Sequence, residues 1–264
     1  MLFRSADASS WRVHFLIGAS PAILTLLIRL FVPESEKWER SAAKEAASAA
    51  PARSKIGEVF GGELRGTTIA GILMVSVVFV GTWGAVQWVP LWIGKLAGTA
   101  NPRAKALAMV IVSVGACVST FVAPLLLAGL RRRLGYQLLC LFALGATFWT
   151  YRTPAVWSGD MLFGIFPWVM AAKVFLLGMA ATAFFGFFPL YLPELFPTRI
   201  RATGQGICYN TGRLVAIPFV LLSGELVKRL GGFQEAAAAI TLVYAVGLFV
   251  AFLGKETSGQ ALQD

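Results

Sequence analysis

The residue with the most chemistry for its position is Arg213. It follows Thr203 by ten residues within an apolar run, which at about 1.5 Å per residue places it roughly 15 Å into a membrane-length helix. An arginine at that depth costs from about 3 to more than 10 kcal/mol unless it finds a partner or a wet cavity. The acids beyond Gly66 are Asp160, Glu194, Glu225, Glu235, Glu256 and Asp264, and none falls in the middle of an apolar run. Glu225 lies twelve residues further along the same run, about 18 Å away. Two readings stay open: an arginine that faces a cavity, where a substrate carboxylate or an acid from outside this chain neutralises it, or one capped by backbone carbonyls in the helix packing. Asn210, three residues earlier, can line the same wall.

A second cluster sits in an earlier apolar run. Gln87 offers one amide to orient a ligand, and Trp83 and Trp88 offer aromatic faces to stack on it. Trp83 and Gln87 are four apart and share a helix face, whereas Trp88 and Trp92 share another and equally suit an outer aromatic belt. Phe184 and Phe188, with Phe185 and Phe187, are candidates for apolar walls, although core packing or lipid contact explains such residues as well. Lys173, near the end of its run, reads as a snorkelling anchor. The lone His14 lacks metal-ligating or catalytic company, and no H-E-x-x-H, C-x-x-C, P-loop or Ser/His/Asp set occurs. The expectation is therefore no enzyme, no cofactor and no metal. Cys117, Cys140 and Cys208 fall inside apolar runs and read as small core residues.

The elements that position these residues follow from composition. The 264 residues are 57% hydrophobic and 14% charged, with a mean hydropathy of +0.72, too apolar for one water-soluble globule. The expected fold is an all-α membrane protein with about seven spans: Trp11 to Val32, Thr67 to Ile93, Ala106 to Leu130, Gln137 to Tyr151, Met170 to Leu192, Thr203 to Val227 and Phe233 to Leu253. The fourth is the weakest, and Met161 to Trp168 is expected in the membrane interface. The net charge of +10 resides in the short connectors, which argues for orientation in a bilayer and against nucleic acid as a partner.

Thirteen Lys and Arg fall on one side of these spans and eight on the other. The richer side should be cytoplasmic, which puts the amino terminus outside and the carboxy terminus inside. Four segments follow: residues 1–37 with one span, a cytoplasmic linker over 38–65, a six-helix block over 66–254, and a cytoplasmic tail over 255–264. Within the linker, Trp38 to Ala50 is rich in Ala, Glu and Lys and is closed by Pro51, so it reads as an interfacial helix or a solvated spacer.

Three motifs carry a family resemblance. The run from Tyr191 through Pro193, Glu194, Pro197, Arg199 and Arg201 to Arg213 resembles the loop between the tenth and eleventh helices of major facilitator superfamily transporters, in their sugar-and-other-solute branch. Pro33-Glu34-Ser35 resembles the motif after that family's sixth helix, and Lys255-Glu256-Thr257-Ser258-Gly259 resembles the P-E-T-K-G motif after the twelfth. The resemblance implies that the chain corresponds to helices six to twelve, with five amino-terminal helices missing. It also implies a substrate site between two bundles that rock in alternating access.

The chain departs from the family in two places. Gly81 to Trp92 lacks the Q-Q-x-T-G signature of hexose porters, which brings the chain closer to aromatic-acid, nicotinate and sialic-acid symporters. In the loop matching D-R-x-G-R-R, Arg132 stands for the Asp and Tyr136-Gln137 for the Arg pair, so the inner face must use other contacts. The resemblance implies a cytoplasmic gate of Glu194, Arg199, Arg201, Arg131, Arg133, Glu34 and Glu256. The function implied is transport of a small organic solute, an anion, with protons as a candidate coupling ion, in the bilayer of a bacterial inner membrane. A sugar transporter and a membrane sensor on the same fold are the alternatives, and the sensor would need a soluble output domain.

Overall fold

A computed structural model of the chain describes residues 10–33, 39–40, 55–98, 101 and 103–260. These are overwhelmingly helical, as expected of an all-α membrane protein. The chain divides into two compact units, residues 1–50 and 51–264. In the first, α1 (Ser10–Ala19) and α2 (Pro21–Phe31) replace the uninterrupted span expected from Trp11 to Val32. The break falls where Pro21 has no N–H to continue the helix, so it opens the next one instead. Glu34 and the linker stretch 41–54 lie outside the described residues, and with them the helix expected over Trp38 to Ala50.

The second unit begins with α3 (Lys55–Val59) and the column made by α4 (Gly62–Val86) and α5 (Val89–Ala97). That column is interrupted at Gln87 and Trp88, because Pro90 cannot donate back to the preceding turn. Next come α6 (Arg103–Leu127), α7 (Arg132–Arg152), α8 (Trp168–Tyr191), α9 (Arg201–Leu230), α10 (Phe233–Thr241) and α11 (Val243–Val250). Among the described residues, five stretches are long and apolar enough to cross a membrane: Gly62–Ala97, Arg103–Leu127, Trp168–Leu195, Arg201–Leu230 and Phe233–Leu253. Phe15–Phe31 is shorter. The 21-residue α7 is long enough, but Arg132, Arg133, Gln137, Thr147 and Thr150 dilute its apolar character. The segment from Met161 to Trp168 is a small antiparallel hairpin, β1 (Met161–Leu162) with β2 (Phe166–Pro167), whose Phe166 is buried against Trp157.

Small residues set the tightest helix pair. A Cβ at Gly115 would meet the Phe175 carbonyl oxygen, one at Gly178 that of Val112, and one at Gly186 that of Thr120. With hydrogen there instead, α6 and α8 touch backbone to backbone. On the opposite side, Gly212 of α9 seats against Val75 and Ser76 of α4. Between these pairs lies an aromatic core in which Phe184 stacks on Tyr244 with ring centroids 5.8 Å apart. Tyr136 packs edge-on to Phe184, and its hydroxyl donates to the Met74 carbonyl at 2.8 Å. Lys173 is not a snorkelling anchor. It is buried, and its Nζ donates to Thr153 Oγ1 at 2.6 Å and the Pro154 carbonyl at 2.9 Å, closing the end of α7.

Gly178→Ala is expected to lower stability by about 1–3 kcal/mol through overpacking at the α6–α8 contact. A thermal melt in detergent that matches wild type would contradict the contact.

Candidate functional site

A cavity of about 380 Å³ opens beside α4 and α9, with single contributions from α6 (Met109) and α8 (Phe185). From α4 it takes Phe79, Thr82, Trp83 and Val86, and from the break that follows and the start of α5 it takes Gln87 and Pro90, a three-to-four spacing that puts one face of the column on the wall. From α9 it takes Tyr209 and Arg213, four residues apart.

Arg213 sits between two rings. Its guanidinium carbon lies 5.4 Å from the centroid of Phe79 and 5.4 Å from that of Tyr209, and these rings meet edge-on at 5.1 Å. Such contacts are worth about 0.5–2 kcal/mol, short of what a charge costs at membrane depth. Among the described residues no carboxylate lines this cavity, and none pairs with Arg213. Glu225 is engaged by Arg229 at 3.0 Å and Glu194 by Arg132 at 2.8 Å. Nor does a backbone carbonyl accept a hydrogen bond from Arg213 among those residues; its recorded partners are the two rings.

Gln87 is tied across to α9, its Nε2 donating to Ser223 Oγ at 3.2 Å. Trp83 is on the wall and 49% exposed. Other candidates are elsewhere. Asn210 turns onto its own helix, donating from Nδ2 to the Gly206 carbonyl at 2.8 Å. Trp88 packs on Phe233 with centroids 5.2 Å apart. Phe184 and Phe188 are buried in the aromatic core with Tyr136 rather than on the wall, and Phe185 takes their place there. Phe79, Thr82 and Tyr209 were not singled out from sequence. The same arithmetic could have found two of them, because Tyr209 is four before Arg213 and Phe79 four before Trp83.

A charge cluster occupies the other candidate locus, with a different centre from the one expected. Arg132, at the start of α7, is buried and grips Glu194 with both arms, Nε to Oε2 at 2.9 Å and Nη2 to Oε1 at 2.8 Å. Thr257 adds a hydroxyl to the same carboxylate at 2.6 Å. Glu256 accepts the backbone N–H groups of Arg132 at 2.8 Å and Arg133 at 3.2 Å, capping the otherwise unpaired donors of α7. The Arg133 Nε donates to the Gly254 carbonyl at 2.7 Å and the Arg201 Nε to the Pro193 carbonyl at 3.0 Å. Arg199 pairs with Glu58 of α3, and Arg131 is exposed but adds positive charge near Glu256. Burial alone would raise the Glu256 carboxyl, but the N–H donors of Arg132, Ser258 and Arg133 and the charge of Arg131 outweigh it and hold the group below its ordinary value. Arg132 and Glu58 were the residues missed. Arg132 read as the loss of an acid, whereas it is a gained cation that Glu194 answers.

Among curated proteins, the chain is 28% identical over 256 residues to a probable 4-methylmuconolactone transporter of Cupriavidus pinatubonensis, covering 97% of this chain and 56% of that protein. It is 26% identical over 282 residues to a niacin transporter of Acinetobacter baylyi, covering 96% and 61%. It is also 26% identical over 252 residues to a 3-(3-hydroxy-phenyl)propionate transporter of Escherichia coli, covering 94% and 57%. The chain thus spans under two thirds of the length of these relatives. No family model matches it. The relatives are named as transporters rather than enzymes, and their names agree with the aromatic-acid side of the facilitator resemblance. The chain is an integral membrane protein related to carriers of small organic solutes.

Arg132→Ala would leave Glu194 buried and unpaired, with an expected loss of about 3–5 kcal/mol. Removing Glu194 as well should cost less than the sum of the single changes, and additive losses in thermal melts would contradict the pairing. Because the Glu256 carboxyl is held low, its contribution is complete above the ordinary glutamate value of about 4.3 and fades only as pH falls below it. The melting gap between wild type and Glu256→Gln should therefore persist at about pH 5 and close in stronger acid; a gap already closed at that pH would contradict the cap.

Proposed function

We propose that the chain is the carboxy-terminal part of a secondary transporter that moves a small organic anion by alternating access, with Arg213 holding the anion. The observation that carries this reading is Arg213 itself: a guanidinium on a cavity wall, flanked by Phe79 and Tyr209 and without a carboxylate partner among the described residues. A carboxylate there gains a charge-assisted hydrogen bond and neutralises the one cation on that wall. Trp83 and Phe185 offer the apolar remainder of the ligand a surface to lie on.

In this reading five further helices belong to the second bundle, which closes the far side of the cavity. A coupling proton, if used, is carried by an acid in those helices, since the described α4 to α11 spans offer none at the cavity. The bundle sits in a bacterial inner membrane with the Arg-rich loops and the carboxy terminus in the cytoplasm, as the thirteen-to-eight distribution of basic residues favours. The Arg132–Glu194–Glu256 cluster then lies at the inner face and belongs to the cytoplasmic gate, along with Arg131, Arg133, Arg199 and Arg201.

In cells expressing the transporter, Arg213→Ala is expected to reduce uptake of an aromatic monocarboxylate about 30-fold or more at unchanged membrane abundance. That is the scale of losing one partner of a desolvated charge pair, about 2–5 kcal/mol. Arg213→Lys should keep part of the activity, and full uptake by the Ala variant would end the reading.

A further inference from the structure

A second and larger cavity, of about 750 Å³, opens between α9 and the α10–α11 stretch, with the buried Val80 of α4 in its lining. Glycines account for it. Gly212 holds α9 against Val75 and Ser76 of α4, while α4 receives α10 and α11 through Gly84 against Ile240 and Gly81 against Tyr244. Both banks rest on the same helix, and a groove is left between them at the level of Val80. Phe219, Leu222 and Leu226 form the α9 bank at a three-to-four spacing, facing Ile240 and Val246. Phe219, Leu222 and Val246 are each at least half exposed.

The groove is apolar along its length and charged at one end. Glu225 and Arg229, four residues apart near the end of α9, are its charged lining residues and pair at 3.0 Å. Among the described residues this pair uses Arg229 Nε and Glu225 Oε1 alone, so the terminal guanidinium nitrogens and the second carboxylate oxygen stay open to a ligand. The exposed Lys228 stands beside them. From Phe219 to Arg229 is ten residues of helix, a rise of about 15 Å, or half of a hydrocarbon core about 30 Å thick. The charged mouth is at the opposite end of α9 from Arg201, and so from the end of the bundle that holds Arg132 and Glu194.

A trough one leaflet deep, with an acid and a base at its mouth, matches the shape and charge of a single phospholipid whose headgroup carries both signs. We propose that this groove binds a phospholipid with a phosphoethanolamine headgroup, its acyl chain along Phe219, Leu222 and Val246, its phosphate on Arg229 and Lys228, and its ammonium on Glu225. A purely anionic headgroup would meet Glu225 as a like charge, and a quaternary choline has no N–H to donate to that carboxylate. The site is separate from Arg213, and the proposal does not rest on an anion binding there.

The test is native mass spectrometry of the protein released from nanodiscs of equimolar phosphatidylethanolamine, phosphatidylcholine and phosphatidylglycerol with identical acyl chains. Phosphatidylethanolamine should be retained about fivefold over either of the others, the upper range of what an ion pair at a wet rim supplies. Glu225→Ala, at an exposed position, should bring the ethanolamine-to-choline ratio to one, and Arg229→Ala should lower retention of all three. Ala239→Trp, on the bank facing α9, should fill the groove and remove the retained lipid. Retention in the bulk ratio, which is annular lipid only, overturns the proposal, as does an ethanolamine preference that survives Glu225→Ala. Wild-type retention by a folded Ala239→Trp variant overturns the groove as the seat. A groove covered by protein instead of lipid would show as no retained lipid in the wild type, which overturns the proposal as well.

Discussion

A guanidinium midway along an apolar helix, with no carboxylate in reach among the described residues, is the constraint around which the rest of the cavity is arranged. Its charge is too costly to leave in hydrocarbon and too large for two aromatic rings to settle. The helices holding it therefore have to keep it beside a space that something polar can enter. Gly212 does part of this by letting α9 sit directly on α4, which brings Tyr209 and Arg213 up against Phe79. The Gln87–Ser223 contact fixes the same two helices at the far end of the cavity, at the level where Pro90 breaks the α4–α5 column. One helix pair thus carries the cation, the rings and the amide.

The other end of the bundle solves an electrostatic problem by exchanging signs. Where the resembling family has an acid in the loop before α7, this chain has Arg132, and Glu194 from the turn after α8 supplies the opposite charge. The carboxy-terminal segment contributes twice, through Thr257 to Glu194 and through Glu256 to the first N–H groups of α7. The start of α7, the turn Leu192–Leu195 and the tail are consequently one hydrogen-bonded unit. A buried, bidentate pair of this kind is weak evidence of stability for its own sake; what it does here is tie three segments distant in sequence to one another.

Depth and helical spacing are one-dimensional properties, and what depended on them was legible. The all-α membrane fold and the shared face of Trp83 and Gln87 both come from counting residues along apolar runs. Rotation about a helix axis is different. Phe184 and Phe188 face inward and Phe185 outward because Gly178 and Gly186 press α8 onto α6, and nothing in the spacing of four phenylalanines says which pair wins. Asn210 and Trp88 were misplaced for the same reason. Helix breaks at Pro21 and Pro90 were hidden by the hydrophobicity around them. Arg132 was obscured by a comparison that noticed the acid it replaced rather than the charge it brought.

The most direct measurement of the central claim is the side-chain Nε–H resonance of Arg213 in ¹⁵N-arginine-labelled protein in nanodiscs, assigned by its disappearance in Arg213→Lys. If Arg213 binds the anion, benzoate should move that resonance in a saturable way, while its neutral counterpart benzyl alcohol should leave it in place. Equal shifts with both ligands, or none with benzoate at concentrations that saturate binding, would contradict a carboxylate at Arg213.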